Sequence, residues 1–175
     1  PVEIAPAAHT TCGGVWIRSD CTTGVSGLLA CGEVAGGIHG ANRLGGNAGL
    51  ETMVFGRIAG KSAIVNTEHD IALPAGSEPM PNQVPDVDIE TLRAEFRQIL
   101  RRSLNVIRCE EDLQQGLEAI SRMIHNLGDH QNCYEKHRLY NDLLTAYLAM
   151  LSALERNGSI GCHYRQDAVE EETVY

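Results

Sequence analysis

Apolar residues recur at helical spacing through the second half of the chain and break into short runs in the first half. Leu92, Phe96, Ile99 and Leu100 fall on one stripe and predict a helix over about 88–104, with Asp86 and Asp88 as candidate caps. Leu113, Leu117, Ile120 and Ile124 predict a second helix over about 110–127. It opens on three acids, which suit the positive end of a helix dipole, and stops before Gly128. Leu139, Leu143, Ala146, Met150 and Leu154 predict a third over about 134–156, ending before Asn157-Gly158. Three amphipathic helices joined by short connections imply an antiparallel bundle.

The first half reads differently. Residues 2–5 and 14–18 favour β structure, 20–27 is turn-rich, and 28–31 is a short apolar run. Over 47–66 the pattern becomes helical, with Leu50, Met53, Val54, Ile58 and Val65 as the expected buried face. Gly56 and Gly60, four apart, are expected to admit another element at close range. Pro74, Pro79, Pro81 and Pro85 then mark a linker, because proline cannot sit inside an element. The fold class is α+β. Four segments follow: 1–66, a proline-rich linker 67–85, a helical bundle 86–157 and a tail 158–175.

Charge changes this picture in one respect. The net charge is −9, and no basic patch exists to neutralise phosphates, which argues against a nucleic-acid partner. The first 85 residues carry 7 acids and 4 bases and the remainder 16 and 10, so the two halves differ in character. No apolar run reaches the roughly 20 residues of a membrane helix, and no secretory leader is visible. The six cysteines lack finger or CxxC spacing, which favours free thiols over a disulfide framework or a metal site.

Fourteen of the eighteen glycines precede residue 77, a density that suits backbone closely approaching a ligand. The densest part is 31–60, CGEVAGGIHGANRLGGNAGLETMVFGRIAG. It holds an acid after a strand (Glu33), glycine-rich turns, one cation before the helix (Arg43), and a helix start near Gly46-Asn47. Glycines leading into a helix N-terminus offer backbone N–H groups and a positive dipole end to negative charge. Taken alone the signal is weak. The run lacks the lysine of a P-loop and the spacing of a dinucleotide fingerprint. Glu33 alone reads as an ordinary strand-end acid, and His9 alone as a solvated or packing turn residue. His39 stays open between touching a ligand and orienting its loop.

The string HGANRLGGNA, preceded by LLACGEVAGG and followed by VFGRIAG, resembles the flavin- and substrate-binding segment of the fumarate reductase/succinate dehydrogenase flavoprotein family, which L-aspartate oxidases share in large part. Upstream, PAAHTTCGG resembles that family's proline-x-x-His motif ending in Gly-Gly. Downstream, the helical region ending in GCHYRQD resembles its C-terminal helical domain and tail. The resemblance implies the C-terminal segment of an FAD-binding domain, short strands plus a helix, followed by the three-helix bundle. It implies FAD as cofactor, hydrogen-bonded by Glu33 and contacted by the backbone of Ala48 and Gly49. It also implies that His9 and Arg43 bind the carboxylates of a small dicarboxylate such as fumarate or succinate. Arg43 stands out among these, since an arginine amid glycines has little packing to do.

Other implications concern what else is needed. The resemblance implies as partners a remaining N-terminal FAD and capping portion and an iron–sulfur subunit, with a cytoplasmic location at the inner face of a membrane. Nothing in this chain matches the G-x-G-x-x-G that holds the FAD pyrophosphate, and the arginine that delivers a proton to substrate belongs to the capping portion. No catalytic residue is therefore expected in this chain, and no activity from it alone. Compared with the family, the loop from Glu33 to Arg43 is one residue shorter than in membrane-bound members. Ala48-Gly49 replaces a common Ser-Leu, and Ser159-Ile160-Gly161 replaces Ser-Arg-Gly.

Overall fold

The computed structural model describes residues 9–66 and 83–168. The strand expected over 2–5, most of the linker and the last residues of the tail lie outside them. The chain divides into two units, Pro1–Gly76 and Ser77–Tyr175.

In the first unit the β segment expected over 14–18 shrinks to a short strand, β1 (Val15–Trp16), which pairs in parallel with β2 (Ala35–Gly36), a strand the sequence does not predict. The apolar run before Cys31 contributes a single antiparallel bridge, Thr22 to Leu29. The helix α1 (Asn47–Asn66) has the expected limits. Its expected buried face, however, is largely exposed. Leu50, Met53, Val54 and Val65 all face solvent, Met53 at 76 % exposure, and Ile58 is only half-buried. The described residues that hold α1 meet it through Glu51 and the Phe55 carbonyl, which lie off that stripe. Gly56 and Gly60 also have nothing within 4 Å of a notional Cβ, so the expected close approach is not made by any described residue. Buried apolar side chains in this unit amount to Cys21 and Ala35 among the described residues. Polar contacts therefore carry much of its internal cohesion.

The second unit is built the opposite way. Its helices are α2 (Ile89–Ser103), α3 (Glu110–Leu127) and α4 (Tyr134–Glu155), each within a residue or so of its expected limits, and each packs on the other two. Asp88 caps α2, its carboxylate accepting from the Glu90 and Thr91 amides. Asp86, the other candidate, instead holds the buried Lys136 ammonium at 2.9 Å. Leu113, Ile120, Leu139, Leu143 and Met150 are fully buried, and Leu92, Phe96, Ile99 and Leu100 pack against them from α2. At the centre Gly116 lets α3 close on its neighbours. A Cβ there would stand 2.6 Å from Ser103 Cβ and 2.9 Å from Met150 Sδ.

The tail adds a clasp that hydrophobic periodicity does not predict. β3 (Ile107–Arg108) pairs in parallel with β4 (Tyr164–Arg165). Arg165 is 4 % exposed and donates to the carbonyls of Ala153, Leu154 and Arg156, so it closes the C-terminal end of α4. Its other nitrogens grip Asp167 at 2.8 and 3.0 Å. Asp167 in turn accepts the Glu110 amide at 2.6 Å, capping the start of α3. Arg165 and the Glu110 amide hold the Asp167 carboxyl well below its ordinary pKa. Beside it, His163 Nδ1 faces Arg108 Nη1 at 2.8 Å; burial, then the nearby arginines, lower its pKa. With arginine donating to Nδ1, the ring is neutral and Nε2–H points to the Arg156 carbonyl.

Two tests follow from this packing. Gly116→Ala gains helix propensity of at most about 1 kcal/mol but overpacks the centre of the bundle, for a net loss of roughly 1–2 kcal/mol. Chemical denaturation measures it, and an unchanged midpoint would show that Ser103 and Met150 move aside freely. The second test is acidification. The folded chain binds the His163 proton less readily than the unfolded chain does, so this group withdraws stability as pH falls below about 6.5. Asp167 follows below about 4, because its folded pKa is depressed and its contribution disappears on protonation. Thermal unfolding across pH should show both limbs, and His163→Asn should flatten the first while leaving the second.

Candidate functional site

A cleft of about 210 Å³ opens in the first unit, between the glycine-rich loops and the first turns of α1. Its back wall depends on two glycines. Val15 N–H donates to the Val34 carbonyl at 2.7 Å, which brings β1 against β2. A Cβ on Gly36 would stand 2.8 Å from the Gly14 nitrogen, and Gly14 itself, at φ +145°, faces the Val34 carbonyl too closely for any side chain. The two glycines thus allow a backbone crossing tight enough to form a concave wall.

The structure brings together four of the five residues expected to form the site. Glu33, Arg43, Ala48 and Gly49 all line the cleft, with His39 beside them. Glu33 Oε1 accepts the Thr11 amide at 2.9 Å, which joins the segment after His9 to the loop after Cys31. Arg43 is half-buried, and its Nη1 donates to the Leu44 carbonyl at 3.4 Å. Among the described residues no carboxylate pairs with Arg43. A guanidinium held at a cleft without a protein anion is suited to an incoming one. Ala48 and Gly49 form the first turn of α1, where helix N–H groups and the dipole favour negative charge. His9 is exposed and lies outside the cleft lining, although its neighbours Thr10 and Thr11 belong to it.

Sequence reading passes over Thr10, Thr11, Glu51 and Thr52, which also line the cleft. Ala48, Glu51 and Thr52 share one face of α1 at helical spacing, so periodicity from Ala48 would have pointed to the last two. Elsewhere in this unit, burial raises the pKa of the Cys21 thiol, which is fully enclosed and donates to the Phe55 carbonyl at 3.4 Å. All six cysteines are unbridged. Among the described residues no group of three metal-ligating side chains converges.

The cleft suits part of a flavin. Gly13, Gly37, Gly40 and Gly49 border it with nothing within 4 Å of a notional Cβ, so a flat ring could lie directly on backbone. Its volume nonetheless falls below the roughly 300–1,000 Å³ of a complete cofactor site. Comparisons with known proteins bear on the whole chain. Residues 1–48 match the FAD binding domain family, and residues 93–173 match the family described as fumarate reductase flavoprotein C-term. The chain matches the C-terminal portion of the fumarate reductase/succinate dehydrogenase flavoprotein family. A CoM/CoB fumarate reductase polypeptide of Methanothermobacter marburgensis is 38 % identical over 97 % of this chain and 34 % of its own length. An L-aspartate oxidase of Acinetobacter baylyi is 31 % identical over 98 % of this chain and 33 % of its own. Among solved structures, the FrdA protein of E. coli quinol fumarate reductase, carrying a point mutation, superposes with a TM-score of 0.74 at 26 % identity. That match covers 96 % of this chain and 33 % of FrdA. Mycobacterium smegmatis Sdh1 in complex with UQ1 gives 0.73 at 29 % identity, over 91 % of this chain and 30 % of its own. The chain thus spans about a third of the length of these flavoproteins. No helix among the described residues is long and apolar enough to cross a membrane.

The back wall gives a direct test. Gly14→Ala forces both a left-handed φ and a backbone clash, at an expected cost of about 3 kcal/mol or more to the β1–β2 pairing. Hydrogen exchange at the Val15 amide should accelerate by about two orders of magnitude at that cost. Unchanged protection would mean that this crossing is not what holds the cleft open.

Proposed function

We propose that this chain forms one wall of a flavin site and one wall of a substrate site in an FAD-dependent oxidoreductase acting on a small dicarboxylate of the fumarate/succinate type. The convergence of Glu33, Arg43 and the first turn of α1 on one cleft carries the reading. FAD, when bound, supplies two-electron chemistry at a carbon–carbon bond of the substrate. The residues of this chain do the rest. Glu33 would accept hydrogen bonds from the cofactor, and the Ala48 and Gly49 amides, at the positive end of α1, would favour the negative charge of a reduced flavin. Arg43 clamps one substrate carboxylate, which fixes orientation and draws charge away from the adjacent double bond. His9, at the rim beside Thr10, holds the second carboxylate. No proton donor is assigned within this chain.

Completion by further polypeptide fits the first unit's surface. Trp16, 68 % exposed, together with Val34, Leu50 and Met53, leaves it with apolar area that its own few buried side chains cannot cover. The N-terminal FAD and capping portion of the flavoprotein is the proposed cover, and a further partner is an iron–sulfur subunit. The location would be cytoplasmic, at the inner face of a membrane through such partners. A second reading is an L-aspartate oxidase portion, favoured by the Acinetobacter relative of that name. Iminoaspartate formed from aspartate by the complete protein would select it, and turnover of succinate alone would remove it. A third is a non-catalytic helical interaction module, for which exposed Val106, Ile107, Tyr134 and Leu148 speak in the second unit. Undiminished partner binding after removal of residues 1–66 would favour that module over the flavin reading.

Native mass spectrometry of the gently purified protein should show FAD retained with a companion polypeptide. In that flavin-loaded species, Arg43→Lys is expected to weaken dicarboxylate binding roughly 10- to 100-fold with flavin content unchanged, because an ammonium cannot replace the bidentate fork. Glu33→Gln should instead lower flavin retention. If Arg43→Lys binds succinate and fumarate as the parent does, the substrate assignment fails.

A further inference from the structure

Glu51 has no role in the proposed binding of flavin or dicarboxylate, yet it is the one charged side chain buried in the first unit among the described residues, at 6 % exposure. A carboxylate is costly to bury unless hydrogen bonds compensate. Its Oε1 accepts the Gly32 amide at 3.1 Å, which reaches from the second turn of α1 across to the loop after Cys31. Gly32 has φ +79°, a conformation that side chains rarely adopt, so glycine serves the turn. The Gly32 carbonyl accepts the Ala35 amide at 2.8 Å, closing a β-turn that places Glu33 at its first central position. Glu33 then passes the constraint on, through its own bond to the Thr11 amide. One continuous relay therefore runs from α1 through Glu51, Gly32 and Glu33 to the segment that follows His9.

We infer that Glu51 is a positioning residue for this site, setting Glu33 against the first turn of α1 so that one cofactor meets both. The inference rests on the reading of Glu33 as a flavin contact. Glu51 acts by reach, as a hydrogen-bond acceptor held at one length from α1. Neither its charge nor contact with the ligand is required. That separates it from a residue that merely adds stability.

The test uses the flavin-loaded holoprotein and five variants. Glu51→Ala removes the acceptor, and Glu51→Asp keeps the charge but falls one methylene short. Both should weaken FAD binding about tenfold and alter the flavin visible spectrum. Glu51→Gln keeps an acceptor oxygen at the same reach and should restore affinity to within about twofold and the parent spectrum. Glu33→Ala combined with Glu51→Ala should lose less than the product of the two single losses, since both act through one turn. Affinity unchanged in Glu51→Ala, or Glu51→Gln as poor as Glu51→Ala while circular dichroism stays native, overturns the inference. Additive losses in the double variant overturn it as well. If Glu51→Ala does not fold, the contrast between Asp and Gln decides. Should Glu33→Ala alone bind FAD normally, the flavin reading itself is wrong. Protection of the Gly32 amide against exchange would then still report the bond to Glu51, so the two failures are distinguishable.

Discussion

The first unit depends on a hydrogen bond that ties α1 to the loop after Cys31, from the Gly32 amide to the Glu51 carboxylate. With Cys21 and Ala35 as its buried apolar side chains among the described residues, this half gains little from excluding water. Orientation comes instead from polar contacts of defined length: Glu51 to Gly32, Glu33 to Thr11, the Cys21 thiol to the Phe55 carbonyl. Such contacts contribute modestly to stability but specify geometry closely, because a donor and acceptor must meet within a few tenths of an ångström. A binding cleft benefits from that trade.

The second unit obeys another logic. Its three helices bury a continuous apolar core, and its polar anchors sit at the helix ends. Arg165 and Asp167 each satisfy backbone groups that a helix leaves open, one set at the end of α4 and one at the start of α3. A buried arginine is tolerable because every face of its guanidinium meets an oxygen. Lys136 solves the same problem with a single carboxylate, Asp86.

The difference explains what was legible in the sequence. Helices α2, α3 and α4 bury one stripe each against one another, so the period of Leu92, Leu113 or Leu139 and their repeats reports the fold directly. In α1 the same kind of pattern gave the helix limits but misled about burial. Periodicity tells which residues want cover, and not whether the described residues supply it. The β pairs were poorly legible, being two residues long, and β1–β2 is set by glycine contacts rather than by alternation. Glu33, Arg43, Ala48 and Gly49 could be found because they lie within one glycine-rich stretch. Helical spacing from Ala48 reaches Glu51 as well, but its bond across nineteen positions to the Gly32 amide leaves no mark in the sequence.

The methionines turn this contrast into a chemical one. Met53 stands on the outer face of α1 with 76 % of its surface open, whereas Met150 is sealed behind Gly116 with none. Sulfoxide formation follows access of oxidant to the thioether. Mild peroxide therefore reaches one residue in each unit at very different rates, and each reports a separate event. Slow oxidation of Met53 records that something has covered α1, and fast oxidation of Met150 records that the bundle has come apart.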